Sequence, residues 1–191
     1  MSTLELKELS HPAGEVIKIA AGKTLDLKTQ GSVTMPTGSV LQVVEAVLEQ
    51  GSASVVTTSQ SYVTTGLTAS ITPKQVGSKI IATASGFCPH SNPSASNKGI
   101  RIATYAQVAS GGYSNVDGTK ATASQFMNAG GWLDTMGMTQ SMFTPSYSVG
   151  QQIDVSIYFL AYDSTNTHYF HHSGGAGADN RIRLILQEIA G

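Results

Sequence analysis

Three histidines, His168, His171 and His172, fall within five residues and form the densest group of metal-capable side chains in the chain. On a strand, His168 and His172 share one face while His171 points the other way with Tyr169. One chain then offers two ligands about 13 Å apart, too far for a common metal. One histidine from each of three chains around a threefold axis would close such a site, which makes these three the trimer-axis candidates. The plainer expectation is three half-exposed strand histidines with no ligand, and neither metal nor cofactor is expected. His11 and His90 are distant in sequence.

Other chemistry is sparse. Gly22-Lys23-Thr24 imitates the end of a phosphate-binding loop, but Ile17 stands where the first glycine belongs. Leu25-Asp26-Leu27 alternates like a strand, whereas phosphate binding needs helix amides at that point. Gly174-Gly175-Ala176-Gly177 lacks the third glycine of a dinucleotide site and the strand–turn–helix around it. No nucleophile elbow and no carboxylate pair in a recognisable motif occurs, so no catalytic residue is expected. The chain reads as a non-enzyme.

Residues suited to contact are easier to find. Tyr113, Phe126 and Trp132 are spread through residues 109–140, a Gly-, Ala- and Met-rich stretch. Aromatic rings bury much area with few rotors and suit glycan or protein contact. Filling a hydrophobic plug under the loop is the alternative, chiefly for Trp132. Residues 86–99 hold two prolines and several Ser and Asn turn formers, which predicts a loop presenting His90 and Asn92.

The elements that must carry these residues are strands. Charged residues make up 12% of the 191-residue chain, about half the usual ~25%, with Ser, Thr, Gly and small apolar residues in their place. That mixture disfavours helix surfaces and suits pleated strands. A net charge of −1 and the absence of any Lys/Arg run argue against nucleic acid. Residues 1–10 carry Glu5, Lys7 and Glu8 and no apolar core, so no leader is expected there, and no apolar run is long enough for membrane insertion. Cys88 is the single cysteine, which fits synthesis in a reducing cytoplasm.

Strands are expected at residues 40–49, 55–58, 61–65, 67–72, 79–85, 100–105, 151–163 and 181–189. Ile153, Val155, Ile157, Phe159 and Ala161 alternate with Asp154, Ser156 and Tyr158 in the clearest of them. Residues 167–172 are expected to pair with 151–163 across a turn, and 109–140 to be largely irregular. Strands at such spacing predict an all-β, antiparallel β-sandwich, jelly-roll-like, over residues 38–191. Residues 1–37 differ: their strand-like pieces are three or four residues long and cannot offset an ordering cost of ~1–2 kcal/mol per residue alone. Three chains wound about one axis would bury Ile17, Ile19, Leu25, Leu27 and Val33 together as a trimeric β stem. Docking on the body of the same chain is the alternative.

The segments Gly38-Ser-Val-Leu-Gln-Val-Val44, Ser61-Tyr-Val-Thr-Thr-Gly-Leu-Thr-Ala-Ser-Ile-Thr-Pro73, Ser78-Lys-Ile80 and Leu184-Ile-Leu-Gln-Glu-Ile-Ala190 follow one another in a characteristic order. In this the chain resembles the carboxy-terminal domains of bacteriophage tail fibre and related virion proteins. Pro12-Ala-Gly14 and Ala21-Gly-Lys-Thr-Leu-Asp-Leu27 resemble the short trimeric stems that precede them. The likeness covers the stem, 38–85 and 144–191, and fails across 86–142. It implies a homotrimer in the virion, joined to other virion proteins through the N-terminal segment and touching a host surface receptor, glycan or protein. It implies no catalytic residue. A head decoration or tail connector without a receptor is the alternative. A polysaccharide-degrading tailspike hydrolase is less favoured, since it would need a longer chain and paired carboxylates.

Overall fold

Ile153, Val155, Ile157, Phe159 and Ala161 are all buried, as alternation demands of a strand with one face inside. The same two-residue period is seen over Val63–Ile71 and Ile182–Ile189 among the described residues. A computed structural model describes residues 21–22, 35–49, 55–87, 90–91, 98–116, 122–126, 137–161, 164, 167–171 and 181–191. The chain divides into two units, Met1–Thr34 and Met35–Gly191. The expected stem core of Ile17, Ile19, Leu25, Leu27 and Val33 lies outside the described residues.

Every described element is a strand. They run β1 (Val40–Leu48), β2 (Val55–Thr57), β3 (Val63–Ile71), β4 (Lys79–Phe87), β5 (His90–Ser91) and β6 (Lys98–Val108). Then follow β7 (Ser114–Asn115), β8 (Thr122–Phe126), β9 (Gly137–Phe143), β10 (Ile153–Ala161), β11 (His168–His171) and β12 (Ile182–Ile189). One antiparallel sheet has the order β1-β12-β4-β9; the other runs β3-β10-β6, with β7 and β8 both pairing β6 along different stretches. The longer strands pass back and forth between the two sheets, giving a four-stranded and a five-stranded layer wound as a jelly roll. A third small sheet, β2-β11-β5, is tied to the sandwich by Phe170 on β11, whose ring sits 5.6 Å from that of Phe159.

The core lies between the layers. Ile80, Ile182, Leu184 and Leu186 from one sheet meet Leu67, Ile71, Ile100, Ile102, Ile157 and Phe159 from the other. Each such side chain contributes about 1.5–3 kcal/mol on leaving water. Two polar features sit inside. Thr104 Oγ1 and Ser141 Oγ share a buried hydrogen bond of 2.7 Å between the sheets. Glu188, 0% exposed, accepts from Ser78 Oγ at 2.7 Å, Lys74 N at 2.8 Å, Gln75 N at 3.3 Å and Gln42 Nε2 at 2.6 Å. A buried carboxylate is tolerable only when its lone pairs are used in this way.

Four expectations need correction. Residues 86–99 are not one loop: β4 runs to Phe87, β5 takes His90–Ser91 and β6 begins at Lys98. Residues 167–172 do not pair with 151–163: both edges of β10 are taken by β3 and β6, so β11 pairs with β2 and β5. Residues 109–140 hold β7, β8 and the start of β9. β9 escapes an alternation search because its inward positions, Thr139 and Ser141, are polar while outward Met142 is apolar. The separate strands at 61–65 and 67–72 are one strand, β3, carrying a bulge: Thr68 pairs with Ser156 and Thr64 with Tyr158, leaving three residues opposite Ile157. Thr65 Oγ1 repairs the ladder by donating to Ile157 O at 2.7 Å and accepting from Leu67 N at 3.1 Å.

The bulge turns on Gly66, whose φ is +78°. A Cβ there would meet nothing within 4 Å, so a side chain is disfavoured by backbone conformation alone. Gly66→Ala is expected to cost about 1–2 kcal/mol with the fold kept. Chemical denaturation checks this, and an unchanged midpoint would contradict the assignment.

Candidate functional site

The bulge in β3 lies beside the most distinctive surface among the described residues. The outward face of β3, β10 and β6 carries Tyr105 and Tyr158, diagonal neighbours whose rings stack at 4.1 Å and 27°. Tyr62, just before β3, tilts against Tyr105 at 5.8 Å, and Tyr113 against Tyr158 at 5.9 Å. Ala103 and Ser156, the cross-strand partners of Tyr158 and Tyr105, are buried although they point outward. The four rings therefore form one continuous aromatic roof over the middle of the sheet.

Tyr113 reaches this roof because of the turn that precedes it. Ala109 and Ser110 have φ of 46° and 65°, and Gly112 follows at 90°. Two consecutive non-glycine residues in the left-handed region store strain that the surroundings must hold. Ala109 N donating to Gln152 O and Gly111 N donating to Val108 O, at 3.0 and 2.9 Å, supply the restraint. The Tyr113 hydroxyl faces Thr68. Thr68 in turn donates to Ser156 Oγ at 3.0 Å, and Ser156 donates to Leu67 O at 3.3 Å. Thr68 and Ser156 thus link the outward face to the bulge.

Asp154 lies one outward position along β10. Its Oδ1 accepts from Ser70 Oγ and Gln152 Nε2, both at 2.6 Å, and its Oδ2 from Gln107 Nε2 at 2.8 Å. Partial burial alone would push its pKa up, but the three donors together outweigh this and hold the carboxyl below its ordinary value. For Tyr113, burial and then the Asp154 charge push the phenol above its ordinary value. Asp154 stays charged and Tyr113 neutral across the physiological range. Next to this face, Gln107, Val108, Gly111, Phe143 and Pro145 border an open groove of about 420 Å³. Gln107 belongs to both.

A roof of aromatic edges beside a fixed carboxylate and two amides suits a ligand with apolar C–H faces and many hydroxyls. It does not suit acid–base cleavage, since Asp154 is the single carboxylate among the described residues of this face.

Of the residues singled out from sequence, Tyr113 takes part in this surface. His90 and Phe126 lie on β5 and β8, which are placed as backbone. Asn92, Trp132 and His172 lie outside the described residues. His168 is 0% exposed and faces the interior of its own chain, rather than standing half-exposed. His171 is the last residue of β11. Among the described residues no group of three His, Cys, Asp or Glu side chains is placed to hold a metal. Tyr62, Tyr105, Tyr158 and the set around Asp154 were not singled out. The signal for part of them was present: alternation through 153–161 puts Asp154, Ser156 and Tyr158 on one face.

Comparison with known proteins finds no family model and no curated protein that matches the chain.

The titrations of Asp154 and Tyr113 act on stability from opposite ends. The depressed Asp154 pKa gives stability that is present above the ordinary carboxyl value near 4 and is lost as pH falls through the folded value. The raised Tyr113 pKa gives stability that is present below about 10 and is lost as pH rises through the folded value. Subtracting the tyrosinate absorbance titration of Tyr113→Phe from that of the parent isolates the Tyr113 transition, expected above pH ~10. In Asp154→Asn it is expected to move down in pH but not fully back, because burial is the larger cause. A transition that does not move contradicts the proximity of the two groups.

Proposed function

We propose that this chain is a fibre-type virion subunit of a bacteriophage, assembled as a homotrimer, whose jelly-roll head contributes to host attachment. Residues 1–37 form the stem and the link to other virion proteins, and the head stands at the virion surface. The ordered run of motifs from Gly38 to Pro73, Ser78 to Ile80 and Leu184 to Ala190 supports the family reading. These are also residues with defined work in the sandwich: Gly66 makes the bulge, Thr65 repairs the ladder, and Ser78 holds Glu188.

The observation that carries the attachment role is the tyrosine roof with Asp154 beside it. Stacked phenols offer rigid apolar area at low entropic cost, and Asp154 with Gln107 and Gln152 fixes the polar rim. A surface glycan presents matching C–H faces and hydroxyls, so a glycan is the receptor class this face fits.

The reading is tested by glycan-array and whole-cell binding of the full chain and of Tyr158→Ala and Tyr105→Ala. Each variant is expected to weaken adhesion at least tenfold, about 1.4 kcal/mol, while the far-ultraviolet spectrum stays β-type. Adhesion unaffected by both variants would remove the receptor role from this face. Absence of any specific adhesion would favour a head decoration or connector instead.

A further inference from the structure

No charged side chain among the described residues lines the open groove beside the tyrosines. Gln107 and Val108 reach it from β6, Phe143 from β9, and Thr144 and Pro145 from the chain just after β9. Its volume of about 420 Å³ falls within the roughly 300–1,000 Å³ of ordinary small-molecule sites. Groove and roof adjoin, because Tyr105 and Gln107 are successive outward positions on β6, about 7 Å apart.

Among the described residues Asp154 is the one charge at this junction. It stands opposite Gln107 in the register and accepts a hydrogen bond from it at 2.8 Å. Its three donors, Ser70, Gln152 and Gln107, are all neutral, so the charge is held in place but not cancelled. A carboxylate offers about four acceptor sites. Two donors meet Oδ1 and one meets Oδ2, which leaves room for a further donor at Oδ2, the oxygen on the Gln107 side. Arg101 lies on the same face, six residues along β6 from Gln107 and so about 20 Å away, and is already engaged in a contact of its own. Charges at that separation are screened from each other at physiological salt, where the Debye length is about 8 Å. Asp154 therefore sets the local field alone.

We infer that the receptor glycan runs from the tyrosine roof into this groove and places a non-acidic unit at the junction, where a sugar hydroxyl or amine donates to Asp154 Oδ2. An acidic sugar there would set carboxylate against carboxylate with no described cation in reach. Like-charge contacts of this kind are how a site rejects wrong ligands. The three donors keep Asp154 ionised across the physiological range, so the selection is permanent. The inference rests on the attachment reading and deepens it: it names the class of glycan, uncharged or amine-bearing, and gives the groove to the next units of the same chain.

The test is binding of the full chain to an array of matched glycans in neutral, amine-bearing and uronic acid forms, with Asp154→Asn and Thr144→Trp alongside and circular dichroism to check the fold. The parent is expected to hold non-acidic members at least tenfold more tightly than their uronic acid counterparts, about 1.4 kcal/mol. Asp154→Asn should close most of that gap. Thr144→Trp, at an exposed groove position off the β3-β10-β6 sheet, should weaken oligosaccharide binding by about tenfold. Equal binding of uronic acid members by the parent overturns the charge selection, needs no variant to fold, and leaves the attachment reading standing. A gap unchanged in Asp154→Asn overturns the part given to Asp154, and undiminished binding by Thr144→Trp overturns the part given to the groove. A parent that binds no glycan overturns the attachment reading itself, and this inference with it.

Discussion

A carboxylate placed inside the sandwich sets how its strands can close. Glu188 sits at the inward end of β12 and draws donors from Gln42 on β1 and from Lys74, Gln75 and Ser78 in the connection between β3 and β4. The same connection is gripped from outside by Tyr147, whose hydroxyl donates to Gln75 O at 2.6 Å and accepts from Ser78 N at 3.1 Å. Gln42 Nε2 also donates to Thr72 O at 2.7 Å, which adds the end of β3 to the junction. Crossing from one sheet to the other is thereby fixed in both position and register. A one-residue slip of β12 would turn Glu188 outward and bring Ile189 in, leaving Ser78 Oγ, Lys74 N and Gln75 N without this partner.

With register fixed, the identity of each outer face follows from the pleat. Alternation delivers the tyrosines, Asp154 and the hydroxyls to one surface, and Val43, Ile81, Ile185 and Met142 to the other. The first is refined by two local departures from regular strand: the Gly66 bulge and the strained turn at Ala109 and Ser110 that folds Tyr113 back over the sheet. Bulges and strained turns of this kind concentrate where a protein aims side chains at something. The second face has neither departure. It is built of straight antiparallel pairing from β1 to β9 apart from irregularities at Val40/Gln42 and Ser85/Phe87.

How much of this is legible in the amino-acid order depends on whether inward positions are apolar. Residues 153–161 and 182–189 announce themselves, since Ile, Val, Leu and Phe occupy the buried sites at every second residue. β9 does not, because Thr139 and Ser141 face in, Ser141 to meet Thr104. The pairing of β11 is equally hidden: nothing local to residues 167–172 tells that β10 has both edges filled. Asp154 and Tyr158 share a face by simple period. Tyr113 joins them through a turn made by Ala and Ser, residues that carry no mark of left-handed backbone. Glu188 reads as a polar residue on a final strand, and its burial becomes intelligible only when partners from positions 42, 74, 75 and 78 converge.

The most direct measurement is the unfolding free energy of Glu188→Ala set beside Glu188→Gln. The alanine variant strands the buried Ser78 hydroxyl and leaves the part-buried Lys74 and Gln75 N–H groups without this partner, and is expected to lose about 3 kcal/mol. Glutamine keeps one oxygen for Ser78 Oγ, Lys74 N and Gln75 N, which all meet the same carboxylate oxygen, and gives up only the acceptor facing Gln42, so its loss should be about half as large or less. An alanine variant as stable as the parent would contradict the claim that this buried carboxylate holds the two sheets in register.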